Sequence, residues 1–293
     1  MTRTVRALLA YAVERFEKAG LSYGHGTANA LDEAAWLILH SLGLPLDELN
    51  PHLDEPLGDA QWRAARALIE KRVRTRKPTA YLTHEAWLGK HRFYVDERVI
   101  VPRSFIAELL RPNTEALASG WIPVSTAMTV LDLCTGSGCL AILAARAFPR
   151  AKVDAADLSD DALEVARRNV ADYKLGRRIR LVKSDLFAAL PGRKYDLIVS
   201  NPPYVKASSM RKLPDEYRKE PSMALASGTD GLDHTRRILA QAKEHLNPGG
   251  LLVVEIGHNR AALEKAYPKV AFEWPRVAAG AGYVFTIVRE RLP

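Results

Sequence analysis

Residues 200–205 read Ser-Asn-Pro-Pro-Tyr-Val and follow a run, residues 195–200, that has the composition of a buried β-strand. Proline fixes φ and cannot donate a hydrogen bond to a sheet, so the strand should end in a stiff turn. The Asn201 side-chain oxygen and the Pro202 carbonyl can each accept one N–H of a planar NH₂ group, and the Tyr204 ring offers a face on which that group can stack. This arrangement can hold a weakly nucleophilic nitrogen in line with an electrophile. A proline-rich surface turn with a buried tyrosine is the alternative.

A glycine-rich segment, VLDLCTGSGCLAI at 130–142, has the pattern of a ligand-binding loop between a strand and a helix. Gly136 and Gly138 permit a tight turn and close approach of a ligand to the backbone, and Ala141 permits tight packing of the helix. In an open α/β sheet, ligands bind beyond the carboxyl ends of the strands, which is where this loop should lie. The pattern G-x-G-x-x-A fits several adenosine-containing ligands and does not by itself choose between them.

Three aspartates, Asp132, Asp157 and Asp185, stand at the ends of successive predicted strands. Asp157 can bind both hydroxyls of an adenosine ribose, and Asp185 can accept a hydrogen bond from the adenine amino group, with Leu186 or Phe187 against the ring. Asp132 would repel a pyrophosphate but would attract a ligand that bears a sulfonium and an ammonium group. Each aspartate alone could be a helix N-cap, whereas the three together predict S-adenosylmethionine as the cofactor.

An NAD-binding oxidoreductase or a non-catalytic nucleotide-binding module is the alternative from a different class, since the glycine pattern fits both. No histidine or lysine is convincingly placed for hydride transfer, and the charge of Asp132 is unfavourable to a pyrophosphate. Methyl transfer from a sulfonium, in contrast, requires positioning of the acceptor and modest dispersal of charge, but no strong general base. The residues around Asn201 supply hydrogen-bond acceptors and no such base.

Two kinds of periodicity divide the chain into the regions that must position these residues. From about residue 4 to residue 73 the apolar residues recur at helical spacing, which predicts a small helical domain. After residue 128 strands and helices alternate, which predicts a mostly parallel sheet covered on both faces, and a helix from residue 104 toward Trp121 should precede it. The seven predicted strands span residues 129–133, 151–157, 178–184, 195–200, 251–256, 270–274 and 283–288.

Composition and charge indicate which classes of partner the protein could bind. The 293 residues carry a net charge of +8, and residues 120–293 hold 26 Lys and Arg against 19 Asp and Glu. A negatively charged partner, such as nucleic acid or a ribonucleoprotein, fits this surplus. Cys134 and Cys139 form neither a disulfide framework nor a metal-binding spacing, so we expect a reducing cytoplasm and no metal. No apolar run approaches the roughly 20 residues that span a bilayer, so we expect no membrane partner.

Taken together, DLCTGSG at 132–138, Asp157, Asp185 and NPPY at 201–204 resemble class I S-adenosylmethionine-dependent methyltransferases that modify planar NH₂ groups, either adenine in nucleic acid or the glutamine side chain in proteins. The chain is similar over nearly its whole length to the protein-glutamine N(5)-methyltransferases. The similarity includes the helical N-terminal region, FYVDERVIVPRS at 93–104 and EYRKEPSMALASGTDGLDHTRRIL at 216–239. VPRSFIA and EPSMALASGTDGL are similar to the branch that methylates the third protein of the large ribosomal subunit rather than to the release-factor branch. Phe105 departs from that branch, where we expect proline.

The resemblance implies a class I, Rossmann-like α/β fold with a seven-stranded, mostly parallel sheet. It implies a helical N-terminal substrate-recognition domain at 1–84, a linking β-hairpin at 85–103 and a methyltransferase domain at 104–293. By position, the predicted catalytic residues are Asn201, Pro202 and Tyr204. The predicted substrate-binding residues are Arg103, Asn201, Pro202, Pro203 and Tyr204. The predicted cofactor-binding residues are Asp132, Thr135, Gly136, Gly138, Asp157, Leu158, Asp185, Leu186 and Asn201.

The implied reaction transfers a methyl group from S-adenosylmethionine to the side-chain amide nitrogen of a glutamine and leaves S-adenosylhomocysteine. The implied partner is a ribosomal protein of the large subunit, and the basic C-terminal part could then contact ribosomal RNA. Arg103 would lie near the site entrance, with a structural salt bridge to Glu220 or Asp230 as its alternative, and Glu220 and Pro221 resemble part of a cover over the substrate channel. A release-factor methyltransferase and an adenine N(6)-methyltransferase are the alternatives; we find no insert large enough for the target-recognition segment that the latter commonly carries.

Overall fold

The computed structural model describes residues 3–111 and 128–293. Its N-terminal region is a group of helices whose apolar residues face a common core. The helices are α1 (Val5–Lys18), α2 (Ala30–Leu42), α3 (Leu49–His52), α4 (Asp59–Thr75) and α5 (Thr79–Thr83). Helix α1 begins after Thr4, whose side chain accepts a hydrogen bond from the backbone of Ala7, and α2 ends at Gly43 in the left-handed conformation. The core side chains include Val5, Leu8, Phe16, Leu37, Ile38 and Ile69.

A short antiparallel hairpin follows this region. It pairs β1 (Ala86–Leu88) with β2 (His91–Phe93), and α6 (Ile106–Leu109) begins after it. Residues 94–103, which the sequence placed within the same hairpin, belong to no strand; side chains satisfy part of their backbone instead. The Tyr94 amide donates to Asn169 at 2.7 Å. The predicted continuation of a helix toward Trp121 lies outside the described residues.

The larger region contains one central sheet with helices on both faces. Its strands and helices are β3 (Thr129–Leu133), α7 (Cys139–Ala147), β4 (Lys152–Asp157), α8 (Asp160–Asp172), β5 (Ile179–Lys183), β6 (Tyr195–Ser200), α9 (Ala207–Met210), α10 (Asp233–His245), β7 (Leu246–Glu255), α11 (Arg260–Ala266), β8 (Arg276–Val277), β9 (Gly280–Ala281) and β10 (Val284–Val288). Along β3, Val130 packs into one core and Leu131 into the other, as expected for a strand buried on both faces.

The central sheet has six strands within the described residues, in the order β10-β7-β6-β3-β4-β5. All neighbours are parallel except β10 and β7. The prediction of a seventh strand at 270–274 is wrong, because that segment makes a single bridge, between Glu273 and Thr286. Pro275 follows this bridge and has no N–H to continue a ladder, and the chain turns instead into the small β8–β9 hairpin.

The strand order reverses between β3 and β6. Strands β4 and β5 extend the sheet on one side of β3, whereas β6 and β7 extend it on the other side. Loops that leave the carboxyl ends of two such strands diverge and leave a crevice between them. The glycine-rich loop follows β3, and the Asn-Pro-Pro-Tyr turn follows β6. The sheet therefore brings these two segments, about 65 residues apart in sequence, to one edge. None of the helices in residues 3–111 and 128–293 is long and apolar enough to cross a membrane.

Candidate active site

Two cavities open at the carboxyl edge of the sheet and share a wall formed by Ile100, Asn201 and Ala224. The first, here called the glycine-loop cavity, is lined by several predicted site residues: Gly136, Asp157, Leu158, Asp185, Leu186 and Pro203. The second, here called the aromatic cavity, is lined by side chains that include Arg103, Phe105, Pro202, Tyr204, Tyr217 and Tyr283. Of the predicted site residues, Asn201 alone borders both cavities. The geometry suits a reaction between two ligands that meet at Asn201.

Several backbone amides of the glycine-rich loop already have partners inside the protein. The Gly136 amide donates to the Asp157 carboxylate at 2.8 Å, and the Gly138 amide donates to the Thr135 carbonyl at 2.9 Å. At the start of α7, the Ala141 amide donates to the Asp132 carboxylate at 2.9 Å. A dinucleotide pyrophosphate is normally bound by such loop and helix N-terminal amides. Because protein carboxylates occupy two of them, the loop is poorly suited to NAD.

Asp132, Thr135 and Gly138 do not line the glycine-loop cavity but lie beneath its loop. Asp132 is fully buried, accepts hydrogen bonds from the Thr135 hydroxyl and the Ala141 amide, and has no partner for Oδ1 within the described chain. Burial raises the pKa of Asp132 to about 7, although these two hydrogen bonds act in the opposite direction. Gly138 adopts a φ of +79°, and a Cβ there would lie 3.2 Å from the Cβ of Ala166.

The other two predicted carboxylates lie on the cavity wall in contrasting surroundings. Asp157 accepts hydrogen bonds from the amides of Gly136 and Ser159, and burial raises its pKa. Asp185 is half exposed and forms a salt bridge of 2.8 Å with Arg237 of α10, whose hydrogen bond lowers the pKa of Asp185. Sequence reasoning did not identify Arg237. A ligand group that binds Asp185 would compete with Arg237 or share the carboxylate with it.

Asn201 supplies a buried oxygen that has no hydrogen-bond partner in the described chain. This atom is Oδ1, and its residue belongs to the wall that separates the two cavities. An unsatisfied buried carbonyl is costly in a folded protein, so its presence indicates that a ligand N–H is its intended partner. Pro202 and Pro203 are both buried, and they face different cavities. Pro202 lines the aromatic cavity, whereas Pro203 lines the glycine-loop cavity.

Tyr204 is held in place by a buried carboxylate at the end of β7. Its hydroxyl donates to Glu255 Oε1 at 3.3 Å, while Glu255 Oε2 accepts from the Ser104 hydroxyl at 2.6 Å and the Phe105 amide at 2.9 Å. Burial raises the pKa of Glu255. Sequence reasoning did not connect this residue with the turn. Its position at the tip of a predicted strand, on the ligand-binding edge, was the available signal.

Arg103 forms a bidentate salt bridge with Glu220, so the alternative partner Asp230 is excluded; Asp230 pairs with Arg236. The second contact, between Nη2 and Oε2, is 2.6 Å. Burial alone would raise the pKa of Glu220, but Arg103 and His25 together outweigh burial and lower this pKa to about 2. Glu220 also accepts from the Val101 amide at 2.9 Å. The pair joins the start of the larger region to residues 206–225, here called the cover.

The cover crosses both cavities and contacts the helical region. Leu213 and Tyr217 line the aromatic cavity, whereas Pro221 and Met223 line the glycine-loop cavity. The fully buried Glu216 forms salt bridges with Arg72, at 3.4 Å, and with Arg76, at 3.0 Å. Further contacts join Tyr217 to the loop after α1: its ring lies 4.2 Å from that of His25, and its hydroxyl donates to the Tyr23 carbonyl. In the described residues, no cluster of three or more His, Cys, Asp or Glu could hold a metal ion.

Comparison with known proteins identifies relatives of this chain. The family described as methyltransferase small domain matches residues 105–216, and the PrmC N-terminal domain matches residues 7–83. The chain is 56% identical to the ribosomal protein uL3 glutamine methyltransferase of Neisseria meningitidis serogroup B, over 99% of this chain and 94% of that protein. It is 53% identical to the protein of the same name from Burkholderia pseudomallei, over 99% of this chain and 96% of that one.

Among solved structures, the chain is similar to the hMettl16 catalytic domain in complex with MAT2A 3'UTR hairpin 6. The TM-score is 0.51 at 16% sequence identity, and the match covers 78% of this chain and 81% of that one. At this identity the likeness shows the fold alone. It supports a class I methyltransferase fold for the larger region, in agreement with the sequence prediction.

Proposed function

Because the chain belongs to the ribosomal protein uL3 glutamine methyltransferases, we propose that it methylates the side-chain amide nitrogen of a glutamine in ribosomal protein uL3. The methyl donor in this proposal is S-adenosylmethionine and the product is S-adenosylhomocysteine. A ribosomal protein as substrate makes the cytoplasm the compartment of action. The observation that carries the proposal is the unpartnered oxygen of Asn201 on the wall between the two cavities.

The residues of the glycine-loop cavity fit S-adenosylmethionine better than a dinucleotide. The carboxylates of Asp157 and Asp185 are acceptors for ribose hydroxyls and the adenine amino group, with Leu186 against the ring. Two of the amides that a pyrophosphate would use, those of Gly136 and Ala141, are already bound to the carboxylates of Asp157 and Asp132. When bound, the cofactor would supply an electrophilic methyl group on a sulfonium.

The turn after β6 would hold the acceptor nitrogen. Asn201 Oδ1 and the Pro202 carbonyl each accept one N–H of the glutamine amide, which fixes its plane and aims its nitrogen toward the glycine-loop cavity. The two prolines keep these acceptors rigid, so little ordering is needed when the substrate binds. Tyr204, held by Glu255, packs beside the amide from the aromatic cavity. No strong base is required, because an alkylated amide readily loses its proton to water.

Replacement of Asn201 by alanine tests the proposal. We expect Asn201→Ala to reduce the rate of methyl transfer by about 10²- to 10³-fold or more, because one of the two acceptors for the amide is lost. The dissociation constant for S-adenosylhomocysteine should change less than about threefold, since most of the glycine-loop cavity is intact. Mass spectrometry of uL3 measures the first quantity and calorimetry the second. The exposed Asn50, on α3, provides the control variant Asn50→Ala, which should leave both unchanged.

The same assay tests the substrate. Purified uL3, a release factor and a nucleic-acid fraction are supplied separately with labelled S-adenosylmethionine. Label that enters only the nucleic acid or only the release factor would reject uL3 as the substrate. An equal loss of turnover and cofactor affinity in Asn201→Ala would mean that the turn has a structural role alone.

A further inference from the structure

The acidic and basic residues of the cover differ in how far they are paired. Its three acidic residues are all paired with arginines of the rest of the chain: Asp215 and Glu216 with Arg76, and Glu220 with Arg103. Its cations are exposed, apart from the half-buried Lys206; they are Lys206, Arg211, Lys212, Arg218 and Lys219. Only Arg218 has an ion-pair partner within residues 3–111 and 128–293, namely Asp215. Four of the five cations, Lys206, Arg211, Lys212 and Lys219, therefore have no ion-pair partner in that part of the chain, and the five together are here called the cationic surface of the cover.

This cationic surface lies beside the place where the substrate enters. The same short segment that carries Arg211, Lys212, Arg218 and Lys219 also places two side chains, those of Leu213 and Tyr217, on the wall of the aromatic cavity. A chain that delivers a glutamine into that cavity therefore passes the segment that carries these charges. Such a field attracts an anionic partner and repels a cationic one, over the roughly 8 to 10 Å that salt allows.

The partner of this surface follows from the class of substrate. Proteins that bind RNA are basic as a class, because they must neutralise phosphates, so a free ribosomal protein would be repelled by the cover. The same protein bound to RNA presents phosphates around the segment that contacts the RNA. We propose that the cationic surface of the cover binds ribosomal RNA phosphates next to the substrate glutamine, and that uL3 bound to ribosomal RNA is the preferred substrate. This inference rests on the proposed function.

The test compares two substrates, free uL3 and uL3 bound to large-subunit ribosomal RNA, with a charge-reversal variant. In Arg211→Glu/Lys212→Glu/Lys219→Glu, we expect kcat/KM on RNA-bound uL3 to fall at least about tenfold at low salt. The slope of log kcat/KM against log salt concentration should weaken by about 2, since each lost phosphate contact removes about 0.7 to 0.9 of slope. On free uL3 the rate should be equal or higher, because the repulsion is removed.

A matched control separates this effect from a change of net charge. Arg150, Arg177 and Lys265 are exposed and have no ion pair within the described residues. Arg150 and Arg177 precede β4 and β5 and so lie at the opposite edge of the sheet. Reversal of these three charges should leave the RNA-bound and free rates within about twofold of the wild type. Affinity for S-adenosylhomocysteine, measured in both variants, reports that the protein is folded.

Three results would overturn the inference. The first is free uL3 methylated as fast as, or faster than, RNA-bound uL3 by the wild type. The second is an equal loss in the cover variant and the control variant. The third is a fall in kcat/KM on free uL3 in the cover variant, which would mean that the cationic surface binds an acidic segment of a protein partner. In each case methylation of uL3 itself leaves the proposed function standing, whereas no methylation of either substrate would reject the proposed function.

Discussion

Glu255 is the residue through which three separate parts of the chain meet at the turn after β6. It is 1% exposed and accepts hydrogen bonds from Ser104, Phe105 and Tyr204. A buried carboxylate with this many donors is rigid, and it fixes the groups that bind it. Because Tyr204 lines the aromatic cavity, the orientation of its ring depends on Glu255. We regard Glu255 as a residue that positions Tyr204 rather than one that touches substrate.

Glutamine at position 255 has the same shape but only one acceptor oxygen. We expect Glu255→Gln to lower kcat by about tenfold or more, because at least one of its three donors is lost and Tyr204 is no longer fixed. Affinity for S-adenosylhomocysteine should change less than about threefold. The exposed Glu264, paired with Arg260, is the control: Glu264→Gln should alter neither quantity. A loss of cofactor affinity as large as the loss of kcat would contradict the positioning role.

Asp132 makes the stability of the protein depend on pH in an unusual direction. Its folded-state pKa of about 7 lies above its ordinary value of 3.8, because burial disfavours the charged form. The folded protein therefore binds a proton at Asp132 where the unfolded chain does not. The contribution of Asp132 to the free energy of unfolding is fully present below pH 3.8 and is lost as the pH rises to about 7.

This dependence can be measured against Asp132→Asn, which has no charge to titrate. The free energy of unfolding of the wild type minus that of Asp132→Asn should be larger at pH 5 than at pH 8, by about 2 to 3 kcal/mol. Denaturant titration at the two pH values gives this double difference, in which the other titrating groups cancel. A difference that is independent of pH, or larger at pH 8, would mean that Asp132 is ionised in the folded state throughout.

At the scale of elements, the end of β7 and the turn after β6 pack so closely that only glycine fits between them. Gly257 adopts a φ of +55°, and a Cβ there would lie 2.8 Å from Cε2 of Tyr204. Glycine is the residue that adopts this conformation without strain, and here it also leaves room for the ring. The loop after β7 therefore contributes to the aromatic cavity through the absence of a side chain.

Gly257→Ala should reduce stability and displace Tyr204. We expect a loss of about 2 to 4 kcal/mol, from the strained φ together with the contact against the ring, and a fall in kcat of the same kind as in Glu255→Gln. Gly192 is the matched control, since it has a φ of +70° and nothing within 4 Å of an added Cβ. Gly192→Ala should cost only about 1 to 2 kcal/mol and leave kcat unchanged. Equal effects of the two substitutions would remove the ring contact from the explanation.

At the scale of the whole molecule, the helical region and the larger region meet at the cover. Glu216 is buried between Arg72 and Arg76, and the Ser22 amide also donates to it, at 3.2 Å. Arg72, itself fully buried, also pairs with Glu33. The cover is thus held between the two regions by Glu216 on one side and by Glu220 on the other. The position of the helical region determines where the walls of both cavities lie.

Loss of the charge at Glu216 should weaken this connection. We expect Glu216→Gln to destabilise the protein by about 3 kcal/mol, because the buried Arg72 and the Arg76 side chain lose part of their compensation, and to raise KM for uL3 more than it lowers kcat. Asp215→Asn, at a neighbouring carboxylate that is 57% exposed, should cost less than about 1 kcal/mol. Unfolding curves and steady-state kinetics measure the two effects. Unchanged KM with lower stability would show that the cover keeps its position without Glu216.

Features that depend on contiguous residues could be predicted from the amino-acid sequence. Alternating strands and helices indicated the mostly parallel sheet, and the family resemblance indicated its class I fold. Proline and glycine chemistry indicated the stiff turn at 201–204 and the loop at 136–138, because these residues restrict or release φ wherever they occur. The error in strand count at 270–274 has a local cause as well: Pro275 ends a pairing that the apolar pattern alone suggested.

Contacts between residues far apart in the chain became known from the folded structure alone. Arg103 and Glu220 are 117 positions apart and Ser104 and Glu255 are 151 apart, so no spacing in the sequence specifies either pair. Burial likewise decides the charge of Asp132 and the unpartnered state of the Asn201 oxygen, because both depend on atoms that arrive from other elements. Local backbone preferences are properties of short segments, whereas contacts, burial and pKa are properties of the packed chain.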